Sequence, residues 1–149
     1  DERGGGSVLY DIPEGFPALA RAETLGRRAA NVGFDWPDAE GVLRKVREEL
    51  GEVEEAVASA RQRDDPRSAE VEEEVGDLLF AVANLARHMG LSPEVALRVA
   101  SEKFERRFRA IEPHITAGDA GDLEAMDALW DEVKRSEDVA AQGSGDAKG

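Results

Sequence analysis

Glu48-Glu49-Leu50-Gly51-Glu52, a turn at Asp64-Asp65-Pro66, and Glu72-Glu73-Glu74-Val75-Gly76-Asp77 decide how this chain folds and what it can hold. Residues three apart share a helix face, so Glu49 groups with Glu52, and Glu74 with Asp77. If the two helices fold back on each other across the turn, the two acidic pairs converge. Four carboxylates left alone would repel; a hard divalent cation such as Mg²⁺, which takes oxygen ligands, would make them a site.

Apolar residues run beside these acids at helical spacing. Leu43, Val46, Leu50, Val53 and Val57 step by three and four, as do Val71, Val75, Leu78, Val82, Leu85 and Met89. Each set is a seam that must pack against other helices. The spacing predicts one helix from Asp38 to about Arg63 and another from just after Pro66 to Met89, where Gly90 stops it. Upstream, a helix is expected over residues 17–32, followed by a break at Gly33-Phe34-Asp35-Trp36-Pro37, since a residue before proline is pushed out of helical geometry. Downstream, Ser92-Pro93-Glu94 combines an N-cap, a first-turn proline and a dipole-friendly acid. That helix is expected to run to Ile111 and to be ended by Pro113. Asp122 opens a fifth, to about Glu137. No stretch reads as a strand. The fold class is all-α, an antiparallel bundle of about five helices, its core completed by dimerisation through isologous packing.

The 149 residues suit one domain. Residues 1–11 read as a flexible lead, 12–137 as the folded domain, and 138–149, small and polar, as a disordered tail. Acidic residues outnumber basic ones 33 to 19, for a net charge of −14. That balance argues against binding duplex nucleic acid or an anionic membrane through a broad basic face. Without cysteine there is no thiolate nucleophile, disulfide framework or zinc–thiolate site. No membrane-length apolar run or signal-peptide pattern occurs, and a cytoplasmic location is the expectation.

Spacing alone discriminates poorly in so acidic a chain. Glu70/Glu73, Glu102/Glu105 and Glu124/Asp127 share it, and a solvated helical face is the plain alternative. Two features favour a site. Both acidic pairs flank their apolar seams, where carboxylates lose hydration unless a cation compensates. Gly51 and Gly76 each cost about 1 kcal/mol relative to alanine, which a close approach of the two helices would explain. His88 and His114 lack convincing partners and read as surface or helix-end residues. Lys45, four before Glu49, shares the carboxylate face. Lys103 and Arg107 form a basic pair on the fourth helix, with ion pairing to Glu102 and Glu105 as the alternative. A metal with such cations nearby would receive a polyphosphate.

Taken together, Val32-Gly33-Phe34-Asp35-Trp36-Pro37, Glu48 to Glu52, Glu74 to Asp77 followed by Leu78-Leu79-Phe80, and Glu102-Lys103-Phe104-Glu105-Arg106-Arg107-Phe108 resemble the MazG nucleoside triphosphate pyrophosphohydrolases. The resemblance covers residues 12–135 and is to the second, catalytic domain of the two-domain members. It implies Mg²⁺, with Mn²⁺ as a substitute, held by Glu49, Glu52, Glu74 and Asp77. It further implies triphosphate contacts from Lys103 and Arg107, with Lys45 close to the nucleotide and Trp130 at its site; Trp36 is expected to serve packing. The implied activity is hydrolysis of nucleoside triphosphates to monophosphate and pyrophosphate, broad or directed at non-standard nucleotides, with Glu48 among the carboxylates able to activate water. A narrower dUTP or dCTP pyrophosphatase and a non-catalytic acidic helical module are the alternatives.

Overall fold

The computed structural model describes residues 6–118 and 121–144. It contains five helices: α1 (Ala18–Ala30), α2 (Ala39–Gln62), α3 (Ala69–His88), α4 (Pro93–Thr116) and α5 (Leu123–Gly143), with no strand among the described residues. The all-α expectation holds.

The helix starts are set by short polar side chains that satisfy otherwise unpaired N–H groups. Asp38 accepts from the Gly41 N–H at 2.9 Å, Ser92 from Val95 at 3.2 Å and Asp122 from Ala125 at 3.0 Å. Ser68 does the same for Val71 at 3.4 Å. Helix α3 ends as its glycine predicts: with Gly90 at φ +74°, its N–H bonds to the Arg87 carbonyl at 2.9 Å and that of Leu91 to Ala86 at 2.8 Å. This is the paired bonding of a Schellman stop. Gly33, at φ +90°, closes α1 in the same way, with the Phe34 N–H bonding back to Ala29 at 3.0 Å.

Two compact units are resolved, one ending at Ala96 and one beginning at Leu97. In the first, α2 and α3 pack on each other as a hairpin, and α1 packs on α3. Its closest-packed residues are small: Ala56, Ala60, Ala81 and Ala83 are buried, together with Val42. The seams read from sequence are only partly enclosed. Leu50 is 45% exposed, Val82 45% and Met89 57%, while the fully buried positions are mostly alanines.

In the second unit, Arg106 and Arg107 on α4 both donate to the Glu137 carboxylate of α5, at 3.0 and 2.9 Å. The two guanidiniums hold Glu137 below the usual carboxylate range. Phe104 stacks on Phe108 and meets Trp130 at 5.3 Å between ring centres.

Four expectations need correction. Pro113 does not end α4, which continues to Thr116. The carbonyls near it lie in the last turns, and the Thr116 hydroxyl bonds back to the Glu112 and Pro113 carbonyls at 3.2 and 3.3 Å. Helix α5 continues past Glu137 to Gly143, through Ala140-Ala141, which are strong helix formers; residues 145–149 lie outside the described residues. Gly51 and Gly76 are not sites of close approach: a Cβ at either meets nothing within 4 Å. The crowded glycines are Gly26, where a Cβ would collide with Asn84, and Gly41, where it would lie 2.8 Å from Trp36. Finally, His88 has a partner, its Nε2 lying 3.0 Å from the Trp36 carbonyl oxygen.

Of the expected lead, residues 1–5 lie outside the described residues. Beyond them the chain forms turns, and Arg28 bonds the Val8 and Tyr10 carbonyls at 3.3 and 3.5 Å.

Candidate metal centre

Helix periodicity places Lys45, Glu49 and Glu52 along one side of α2, and Glu74 and Asp77 on one side of α3. The hairpin brings three of the four acids together. One carboxylate oxygen each from Glu49, Glu74 and Asp77 lies within 4.8 Å of the others. Glu49 is only 9% exposed. Lys45 Nζ reaches its Oε1 at 2.8 Å and Glu48 Oε2 at 3.6 Å. The contact with Glu49 raises the Lys45 pKa above the usual lysine value.

Glu52 lies outside this three-residue set, yet its charge is felt there. Glu74 is held above the usual carboxylate range, first by loss of hydration and then by Asp77, Glu52, Glu73 and Glu49. The cluster therefore carries more negative charge than it neutralises internally, with Lys45 its direct cationic contact among the described residues. Three converging carboxylates are hard oxygen donors, the set that suits Mg²⁺ or Mn²⁺ rather than a soft thiolate-seeking ion. Glu48 is exposed and outside the cluster.

Two of these acids, Glu49 and Asp77, open onto a pocket of about 790 Å³, in the size range of small-molecule sites. Lys45, Glu49 and Asp77 line it together with apolar groups and the polar pair Asn84 and Arg87. Sequence reasoning missed that pair. The available signal was a lone amide in the apolar run Ala81-Val82-Ala83-Asn84-Leu85. Trp36 packs over Gly41 as expected, but it also lines this pocket.

Lys103, Arg107 and Trp130 belong to the second unit. There Arg107 pairs with Glu137 rather than with Glu102 or Glu105, while Glu105 pairs with Arg109. Lys103 is exposed and makes no ion pair among the described residues. Trp130 meets Phe104, the residue next to Lys103.

Residues 38–111 match the model of the MazG nucleotide pyrophosphohydrolase domain. Over 135 residues the chain is 50% identical to a nucleoside triphosphate pyrophosphohydrolase of Escherichia coli K12, covering 88% of this chain and 50% of that protein. It is 41% identical over 137 residues to the nucleoside triphosphate pyrophosphohydrolase/pyrophosphatase MazG of Thermotoga maritima, covering 89% of this chain and 50% of that protein. A similar match, 41% over 137 residues, is to the uncharacterized protein YabN of Bacillus subtilis, of which 27% is covered. The chain thus spans about half the length of the first two relatives. The family match takes in α2, α3 and the converging acids between them, and identifies residues 38–111 as a MazG nucleotide pyrophosphohydrolase domain.

Proposed function

We propose that this chain hydrolyses nucleoside triphosphates to the monophosphate and pyrophosphate with Mg²⁺ held at the carboxylate cluster. The observation that carries the reading is the convergence of Glu49, Glu74 and Asp77 within 4.8 Å, in a chain 50% identical over 135 residues to a named pyrophosphohydrolase. Glu52 joins them as the fourth acid, through a side-chain rotation that its exposed position allows.

When bound, Mg²⁺ supplies charge neutralisation at the phosphate oxygens as the anhydride bond breaks. The protein's own groups do the rest. Lys45 offers a point charge at the edge of the cluster, and Lys103 and Arg107 orient the triphosphate. Glu48, outside the cluster, accepts the proton of the attacking water. Trp130 borders the nucleotide.

We also infer a homodimer. The residues Val75, Leu79, Val82 and Met89 form an exposed apolar stripe along α3, at the spacing of one helix face. A single unit leaves that stripe in water, which is unfavourable unless a partner covers it.

The test is direct: incubation with a mixed panel of nucleoside triphosphates, with and without Mg²⁺, and assay for pyrophosphate. Pyrophosphate that appears only with the metal supports the reading. A panel that yields none with Mg²⁺ or Mn²⁺ rejects it in favour of a non-catalytic helical module.

A further inference from the structure

The carboxylates account for only part of the pocket they open onto. Leu25 of α1, Phe34 and Trp36 of the following loop, and Phe80 of α3 give the remainder apolar and aromatic walls. Phosphate oxygens gain nothing from such walls, whereas a flat heteroaromatic ring gains both burial and stacking.

Asn84 lies among these groups and is 6% exposed. Its Oδ1 accepts from Arg87 Nε at 3.2 Å. A guanidinium only donates, so this contact fixes which end of the amide is oxygen. Its Nδ2 donates to no acceptor among the described residues. No side-chain nitrogen or oxygen sealed from solvent lacks a partner among them, so Nδ2 is open to the pocket that Asn84 lines. Asp77, Ala81 and Asn84 occupy successive turns of one face of α3. Asn84 therefore sits about 10 Å along the axis from the acidic cluster, a separation that a nucleotide bridges with its base at one end and its phosphates at the other.

We propose that this pocket is the nucleobase subsite, and that Asn84 Nδ2 donates to a carbonyl oxygen of the base, favouring 6-oxopurines over 6-aminopurines. The proposal rests on the triphosphate reading given above. At position 6 a carbonyl accepts what the amide offers, while an amino group sets donor against donor and leaves both unpaired. Gly26 belongs to the same device: a Cβ there would strike Asn84 and displace the amide from Arg87.

The experiment compares ITP with ATP, which differ at that edge alone, on the intact chain and on Asn84→Asp. Aspartate keeps an oxygen for Arg87 and replaces the donor with an acceptor. The intact chain is expected to show kcat/KM for ITP about tenfold above that for ATP, the worth of one hydrogen bond; Asn84→Asp is expected to abolish or invert the ratio. A ratio near one in the intact chain, or one unmoved by Asn84→Asp, overturns the proposal. Phe34→Ala, at a residue 81% exposed, provides a second reading that a folding defect does not obscure: KM rises several-fold for both nucleotides with kcat kept, and an unchanged KM overturns the subsite. Failure to release pyrophosphate from any triphosphate rejects the hydrolase reading instead. In that event calorimetric affinities for ITP and ATP still decide the subsite, equal values overturning it.

Discussion

Asp35 and Arg87, fifty-two residues apart, meet as a forked ion pair: Arg87 Nη2 and Nη1 lie 2.8 and 3.1 Å from the two carboxylate oxygens. The pair ties the loop carrying Phe34 and Trp36 to the last turn of α3, and Asn84 joins it through Arg87 Nε. Both side chains are largely shielded, at 23% and 11% exposure. Lysine cannot reproduce the two parallel donors. Arg87→Lys is therefore expected to cost about 1 kcal/mol of stability, read as a lower urea midpoint, and to raise KM for triphosphates several-fold.

The same pair gives a pH dependence with a definite sign. The Arg87 hydrogen bonds hold the Asp35 pKa below its ordinary value of 3.8. Its contribution is therefore fully present above that value and is lost as pH falls through the lower folded value. Melting curves of the intact chain and Asp35→Asn are expected to differ at neutral pH and to converge under acid conditions. Curves offset equally at every pH would show that the pair's charge is irrelevant.

Glu74 runs the other way. Lost hydration, then repulsion by Asp77, Glu52, Glu73 and Glu49, raises its pKa above 4.5. In metal-free protein its ionisation opposes folding, so stability falls as pH rises from that value through the raised one. Saturating Mg²⁺, which binds the folded cluster, is expected to raise the melting temperature and to flatten this dependence. Glu74→Gln should remove both effects. A melting temperature indifferent to Mg²⁺ in the intact chain would argue against a cation at this cluster.

Asp77→Asn and Glu49→Gln each keep side-chain volume while removing a charge. Turnover is expected to fall by about 100-fold or more, with helical circular dichroism unchanged. Glu52 supplies the sharper comparison because it stands outside the three-residue set while its charge reaches Glu74. If it closes onto the metal, Glu52→Gln loses as much activity as the others; if it acts only through its field, the loss is smaller and shrinks at high salt.

The helices were legible in the sequence because their ends are local events. Asp38, Ser68, Ser92 and Asp122 each cap within three residues, and Gly90 stops α3 within its own turn. The acidic cluster was legible because helical spacing and a short turn leave few ways for Glu49 to avoid Glu74 and Asp77. What escaped depends on distant partners. Nothing near Asp35 announces Arg87, and nothing near Gly26 announces Asn84. The glycines inside the acidic motifs looked like contact points, yet the close packing falls on Ala56, Ala60, Ala81 and Ala83. Pro113 misled because proline was weighed as a stop, whereas the Thr116 hydroxyl gives the final turn of α4 extra bonds.

Helix α2 ends on a residue of the wrong kind for its geometry. Asp64 sits at φ +51°, with its N–H bonding to the Arg61 carbonyl at 3.2 Å and that of Asp65 to Ala60 at 2.9 Å. This is the stop that glycine makes at Gly33 and Gly90, carried here by a side-chained residue that pays for the left-handed backbone. Its negative charge also follows directly on the negative end of the helix dipole. Asp64→Gly removes both penalties, offset in part by glycine's greater freedom in the unfolded chain. The expected outcome is a gain of up to about 1 kcal/mol, a rise of about 3 °C in melting temperature for a chain of this size. The turn is remote from the carboxylates along α2, so kcat/KM should not change. A destabilised Asp64→Gly would mean that the aspartate side chain itself holds the α2–α3 turn.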